Sequence, residues 1–229
     1  MKVAWFLYDY TGLMAEPWLL KGYKCYIIDI QHDPGIKEDP ERPGLFKVGL
    51  GILPSRSMPY LMHNLDTPSF IFGFPPCTDL AVCGARAFAK KRDKNPEFQD
   101  EAMAHVYFTR DLAASYNNCT WAIENPISVI STKWKTPDFY FHPFEYGGYL
   151  PVDDVHPEYP DYINSRDSYR KKTSIWHSHD FVEPVRIKVP VDEGYSKQYK
   201  KLGGSSLKTK NIRSATPRGF ALAVCKYNC

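Results

Sequence analysis

Two residues of this chain combine reactive chemistry with a position that could use it. Cys77 follows Phe70-Ile71-Phe72-Gly73-Phe74-Pro75-Pro76, and Glu124 stands within Thr120-Trp121-Ala122-Ile123-Glu124-Asn125-Pro126. Both runs are apolar, rich in aromatic and β-branched residues, and stopped by proline. That pattern predicts a buried strand with the reactive residue at its carboxyl end. In an open α/β sheet, loops leaving the strand ends line the ligand crevice. A thiol there is a candidate nucleophile, although most free cysteines pack as small hydrophobes. Two prolines set the direction of this loop rather than fill a core. A carboxylate at such a point can equally cap a helix or sit in a solvated turn, so Glu124 gains meaning only beside Cys77.

Taken together, Pro76-Cys77 after one strand and Glu124-Asn125 after the next resemble the cytosine-C5 DNA methyltransferase family. The resemblance implies that the Cys77 thiolate attacks C6 of a cytosine while Glu124 hydrogen-bonds N3 and the exocyclic amine. The division of labour is physically sound. An aromatic ring carbon is a poor nucleophile toward a methyl sulfonium until a covalent bond at C6 turns C5 into an enamine carbon. A carboxyl group on N3 then stabilises the charge that develops across the ring. Pro76, Thr78, Arg86 and Asn125 are expected at the substrate, and Thr78 to Lys94, with its basic and mobile end Lys90 to Asn95, is expected to close over a base flipped from the duplex.

The same resemblance places S-adenosylmethionine at the amino-terminal strands. Val3 to Tyr10 is predicted as the first strand, and its exit turn, Tyr8-Asp9-Tyr10-Thr11-Gly12-Leu13-Met14, is similar to the family's Asp-Leu-Phe-x-Gly-x-Gly. Tyr10 matches the aromatic residue and Gly12 the first glycine, with Thr11 and Leu13 between and beside them; Met14 replaces the second glycine. A helix over Ala15 to Lys21 and a strand over Lys24 to Ile30 follow, ending at Asp29-Ile30. An acid about 20 residues past a glycine turn can accept both ribose hydroxyls. Gln31 to Arg42 is predicted as a loop and Phe46 to Ile52 as a strand. Gly49 and Gly51 stand where the family holds its acid near the adenine amine.

Downstream, Tyr169-Arg170-Lys171-Lys172-Thr173-Ser174-Ile175-Trp176 resembles the family's Gln-x-Arg-x-Arg motif leading into a strand, with Arg170 as the first arginine and Lys172 for the second. Asn211 to Ala221 resembles the last motif, in which Ser214 and Pro217 match and Arg213 stands at the asparagine position. Ser214 is thereby expected at the cofactor. Gly203-Gly204-Ser205-Ser206 reads as a hinge, and Phe98 to Ser115 as a long amphipathic helix.

The 229 residues, 43% apolar, suffice for one full core. The fold expected is a Rossmann-like α/β, S-adenosylmethionine-dependent methyltransferase domain, with a mostly parallel sheet flanked by helices. Residues 1–127 form its catalytic core, 128–206 a small basic, aromatic-rich appendage with a final core strand, and 207–229 a returning helix. No run approaches the roughly 20 apolar residues of a membrane span, and Tyr8-Asp9-Tyr10 interrupts the amino-terminal apolar run too early for a signal peptide. Six cysteines without a Cys-x-x-Cys pair argue against a zinc site and for a reducing cytoplasm, such as that of a virus-infected bacterial host. A monomer without metal is expected.

Net charge is +3, yet Arg166 to Arg218 holds thirteen Lys or Arg and five Asp or Glu, so this part carries +8 and the rest −5. Interleaved with Tyr169, Trp176, Tyr195 and Tyr199, such a segment suits a polyanion, here DNA. The family's large target-recognition domain is missing, as about 35 residues separate the two last motifs. So short a stretch supports specificity for a few base pairs at most, as expected of a small, phage-type enzyme. Three alternatives stay open: a modified S-adenosylmethionine donor, a free cytosine nucleotide as substrate, and a DNA-binding relative without catalysis.

Overall fold

The computed structural model describes residues 1–191, 194, 196–204 and 206–229. Tyr195 of the basic segment and Ser205 of the hinge lie outside the described residues.

Five apolar stretches form the parallel part of one sheet: β1 (Val3–Leu7), β2 (Lys24–Glu38), β3 (Leu45–Gly49), β4 (Phe70–Gly73) and β5 (Thr120–Pro126). β6 (Phe139–Phe141) and β7 (Thr173–His177) complete it, with β7 antiparallel to β5 and β6 antiparallel to β7. The strand order is β3-β2-β1-β4-β5-β7-β6. This is the α/β, Rossmann-like architecture expected from the sequence. The chain runs outward from β1 to β3, then returns to the other side of β1 at β4. That reversal opens a crevice outside the carboxyl ends of β1 and β4, where such sheets bind ligands.

Alternation along β1 feeds two cores. Ala4 and Phe6 face one side, with Trp18 from α1 (Glu16–Leu20) and Phe220 from the carboxy-terminal helix. Val3, Trp5 and Leu7 face the other, with Leu61 from α2 (Ser57–Asn64) and Phe108 and Leu112 from the long helix that precedes β5. A strand buried on both faces has no polar alternation, which is why β1, β4 and β5 read as continuous apolar runs. The remaining helices are α3 (Phe88–Lys94), α4 (Phe98–Ala114), α5 (Ile130–Lys133), α6 (Lys197–Lys201), α7 (Leu207–Ser214) and α8 (Arg218–Asn228). α4 presses on the end of β4, where a Cβ at Gly73 would lie 2.3 Å from the Thr109 hydroxyl. Among the described residues, no helix is long and apolar enough to cross a membrane.

Two expectations need correction. The predicted loop from Gln31 is largely strand, because β2 passes beyond Asp29 and returns. Cys25 to Asp29 pair with Leu45 to Gly49 in parallel, whereas Ile36, Lys37 and Glu38 face Val48, Lys47 and Phe46 in the reverse sense. Gly35, at φ +93°, sits in the turn of this fold-back. The basic stretch Lys90 to Asn95, expected as a mobile loop, is the α3 helix up to Lys94, and no residue of that helix is buried.

Candidate active site

The β4 exit loop is built from backbone bonds that prolines leave few alternatives to. The Cys77 carbonyl accepts from the Leu80 and Ala81 amides at 3.1 and 2.8 Å, which curls the chain directly after the cysteine. Asn125, on β5, is buried and donates its side-chain amide to the Pro75 carbonyl at 2.9 Å. Beyond it, the Val82 amide donates to the Ile127 carbonyl and the Val129 amide to the Leu80 carbonyl, both at 3.0 Å. The Cys77 loop and the end of β5 are therefore clipped together at three points. Pro76, Cys77 and Thr78 are exposed on this loop, and Arg86 is exposed on the 3-10 turn that follows.

This clip holds Cys77 and Glu124 within each other's field. Protein packed round the thiol pushes its pKa up, the Glu124 charge pushes it further, and Lys171 pulls it down. Burial around the Glu124 carboxyl likewise raises its pKa above the ordinary carboxylate value, again opposed by Lys171. A thiol, a carboxyl that favours its proton, and one ammonium thus share a site at adjoining strand ends.

Lys171 was not among the expected site residues. The segment entering β7 is extended, so successive side chains alternate. Lys171 faces the Cys77 and Glu124 side, where its ammonium also donates to the Arg213 carbonyl at 2.8 Å. Arg170 and Lys172, the pair expected there, lie over the rings of Phe144 and Tyr140 at 5.3 and 4.4 Å. Of the three basic residues in this segment, Lys171 is the one whose charge acts on Cys77 and Glu124.

At β1 the exit turn is organised by Asp9. One of its carboxylate oxygens accepts from the Gly12 amide at 2.8 Å and from the Thr11 hydroxyl at 3.1 Å. Its other oxygen is buried without a partner. Burial, with a smaller contribution from Asp29, pushes the Asp9 pKa to about 6. Gly12 sits at φ +72°, a conformation that favours glycine. Met14 is fully buried in the core over α1, which explains why no second glycine is needed.

A crevice of about 330 Å³ opens beside this turn, lined by Tyr10, Thr11, His32, Arg42 and Lys47 with Gln31, Asp33, Lys37 and Glu158 across its rim. Tyr10 stacks on His32 with ring centroids 5.4 Å apart. Arg42 donates to the Thr11 carbonyl at 3.2 Å and pairs with Asp39 at 2.9 Å. Of the residues expected at a cofactor, Tyr10 and Thr11 line this crevice. Asp29 lies close by, with its carboxylate accepting the Gln31 amide at 2.8 Å, and Ile30 is exposed. The Leu13 side chain is buried among Ile163, Tyr169 and Ile212 and is not open to a ligand. Ser214, at the end of α7, donates to the Asn211 carbonyl on the exposed surface.

These groups fit a cationic nucleotide-like molecule such as S-adenosylmethionine. The exposed aromatic stack suits a base and the volume lies in the range of small-molecule sites. The orphaned Asp9 oxygen, which suits a positive charge, is buried in the adjoining turn and does not line the crevice, whose own lining sets Lys37, Arg42 and Lys47 against Asp33 and Glu158. Asp33 and Gly49 explain the missing acid of the third strand: a Cβ at Gly49 would lie 1.9 Å from the Asp33 carbonyl oxygen, so folded-back backbone fills that place. His32, Arg42, Lys47 and Glu158 were invisible to sequence reasoning, because the fold-back of β2 and the packing of residues 154–159 bring them here. Among the described residues there is no group of three His, Cys, Asp or Glu that could hold a metal ion.

No family model matches the chain, and no curated protein matches it. Among solved structures, one E. coli protein described as a "putative DNA modification methyltransferase encoded within prophage" is 11% identical, with a TM-score of 0.43 over 77% of this chain. The chain spans 46% of the length of that protein.

Proposed function

We propose that this protein is a DNA cytosine-C5 methyltransferase that uses S-adenosylmethionine. The observation that carries the reading is the clipped pair of strand ends, which holds an exposed thiol and a carboxyl of raised pKa within the field of one lysine. Cys77 would add to C6 as the thiolate, breaking the 5,6 double bond and moving electron density toward N3. Glu124, whose raised pKa favours the acid, would donate its proton to N3 as that charge develops. Lys171 favours the thiolate by its charge, and burial of Glu124 outweighs the same pull on the carboxyl.

S-adenosylmethionine, when bound, supplies an electrophilic methyl group on a sulfonium. Asp9 would face its positive charge, and Tyr10 on His32 would stack with its adenine. Asn125 acts by holding the Pro75 carbonyl, and so the height of Cys77 above the sheet. The target cytosine has to leave the helix, since a ring stacked in duplex offers no open face at C6.

A second reading keeps the cysteine chemistry and alters the donor. Backbone in place of the third-strand acid reshapes the donor side, while Cys77 and Glu124 are both present. A donor carrying a group other than methyl would suit that asymmetry.

Nucleoside mass spectrometry on DNA from cells expressing the protein tests both. A gain of one methylene on deoxycytidine, lost in a Cys77→Ser variant, is expected. A larger gain would support the second reading, and unmodified cytosine would contradict both.

A further inference from the structure

We infer that the helical hairpin of α6 and α7 is a docking surface for the phosphodiester backbone of DNA, which it holds beside Cys77 without reading bases. The inference rests on the reading of DNA as substrate and adds the surface that meets it. From Ser196 to Arg218 the chain holds seven Lys or Arg and no carboxylate. Lys200 and Lys201 on α6 and Lys208 and Lys210 on α7 are exposed, and none forms an ion pair with a described residue. Other lysines have a carboxylate at hand: Lys24 pairs with Asp66, Lys47 with Asp39, Lys91 with Asp79 and Lys133 with Asp100. Four exposed lysines on two consecutive short helices, in a stretch of 23 residues without a carboxylate to offset them, concentrate uncompensated positive charge and mark a polyanion site; Lys208 alone also touches an aromatic ring, that of Tyr162 at 5.6 Å.

The hairpin's other side ties it to the reactive groups. Leu202 and Ile212 pack with Leu13 from the donor-side turn. Asn211 donates to the Gln31 side chain at 3.1 Å, and the Arg213 carbonyl accepts from Lys171 at 2.8 Å. A backbone bound on the lysine face would therefore lie next to the element that bridges the donor crevice and the Cys77 site. The patch consists of lysines, flexible point charges without the planar fork that matches a base edge, so it holds phosphates and specifies little sequence.

The test compares the wild type with Lys200→Gln/Lys201→Gln/Lys208→Gln/Lys210→Gln in anisotropy titrations of a labelled duplex and of its single strand, over a range of salt. Each lost phosphate contact removes roughly 0.9 from the slope of log affinity against log salt on duplex and roughly 0.7 on single strand. A slope shallower by about 3 and an affinity lower by on the order of 10- to 100-fold at low salt are expected. The difference between 0.9 and 0.7 per contact shows which form is held. A control, Lys2→Gln/Lys21→Gln/Lys226→Gln, should bind like the wild type, and equal thermal melts exclude misfolding. An unchanged slope in the hairpin variant overturns the proposal, as does an equal loss in the control. Nucleoside mass spectrometry on the same wild-type samples separates the two readings. Modified cytosine with an unchanged hairpin slope removes the surface alone, whereas steep binding by the wild type without modified cytosine removes the transferase reading and leaves the surface standing.

Discussion

The two ends of the crevice are built by different means. At the β4 and β5 ends, local sequence does nearly everything: an apolar strand, a proline stop, and a reactive residue within a few positions. The clip then needs one buried amide, Asn125, and two backbone bonds. At the β1 and β2 ends, the site is assembled from afar. Arg42 crosses to Thr11 from 31 positions away, Glu158 joins the rim from the far half of the chain, and the β2 fold-back covers Gly49. A reactive pair fixed by local geometry tolerates no substitution of its own members, while a pocket assembled from distant parts can change shape without disturbing it. At the assembled end the β2 fold-back fills the place of the third-strand acid, whereas at the local end Cys77 and Glu124 are both present.

The largest effect should come from the locally fixed end. Cys77→Ser removes the nucleophile, and transfer should fall by about 10⁴-fold or more, while DNA affinity is kept. Residual transfer near wild type would break the comparison at its root. Glu124→Gln should cost about 10²–10⁴-fold in single-turnover rate. Its pH profile is the sharper readout. Thiolate rises with pH up to the raised thiol pKa, and the Glu124 acid falls with pH above its own raised pKa. Their product gives a wild-type rate that is flat between the two values and falls on either side. The glutamine variant, with no proton to lose, should instead climb with pH until the thiol titrates.

On the assembled side, Asp9→Asn should raise stability while weakening donor binding. The folded-state pKa of about 6 lies above the ordinary carboxylate value, so the native protein binds the proton more tightly than the unfolded chain. Stability therefore drops as pH rises from about 4 to about 6, and the deficit is complete above that window. Asparagine keeps an acceptor for Gly12 and Thr11 and carries no charge. Denaturant unfolding at about pH 7.5 should show a gain of about 3 kcal/mol that shrinks to a small residue near pH 4. A loss of stability at neutral pH would mean that Asp9 is already satisfied. A smaller effect is expected of Lys171→Gln, about tenfold in rate, with the thiol titrating at higher pH. Arg170→Gln, beside Phe144, should change the thiol titration little.

How far the sequence reached follows the same division. β1, β4 and β5 were legible because strands buried on both faces need unbroken apolar runs, and the proline after Glu124 marks the end of β5. α4 was legible from its apolar spacing. The continuation of β2 was not, because Asp33-Pro34-Gly35 reads as a turn and only pairing with β3 makes the flanking residues strand. α2 carries Pro59 in its first turn and few buried residues, so its pattern is faint. Lys171 was overlooked since parity in an extended segment depends on where β7 starts, and three consecutive basic residues give no sign of that. Asp9 gave no signal at all: its importance comes from burial of one oxygen, which only the folded turn creates.

The central claim is the bond between Cys77 and a cytosine ring carbon. It is tested most directly by incubating the protein with S-adenosylmethionine and DNA containing 5-fluorocytosine, whose C5 fluorine cannot leave as a proton does, followed by peptide mass mapping. The account expects a covalent nucleotide adduct on the peptide carrying Cys77, in wild type and absent in Cys77→Ser. An adduct on the exposed Cys83 or Cys229 instead, or transfer to cytosine with no adduct on any cysteine, would contradict it.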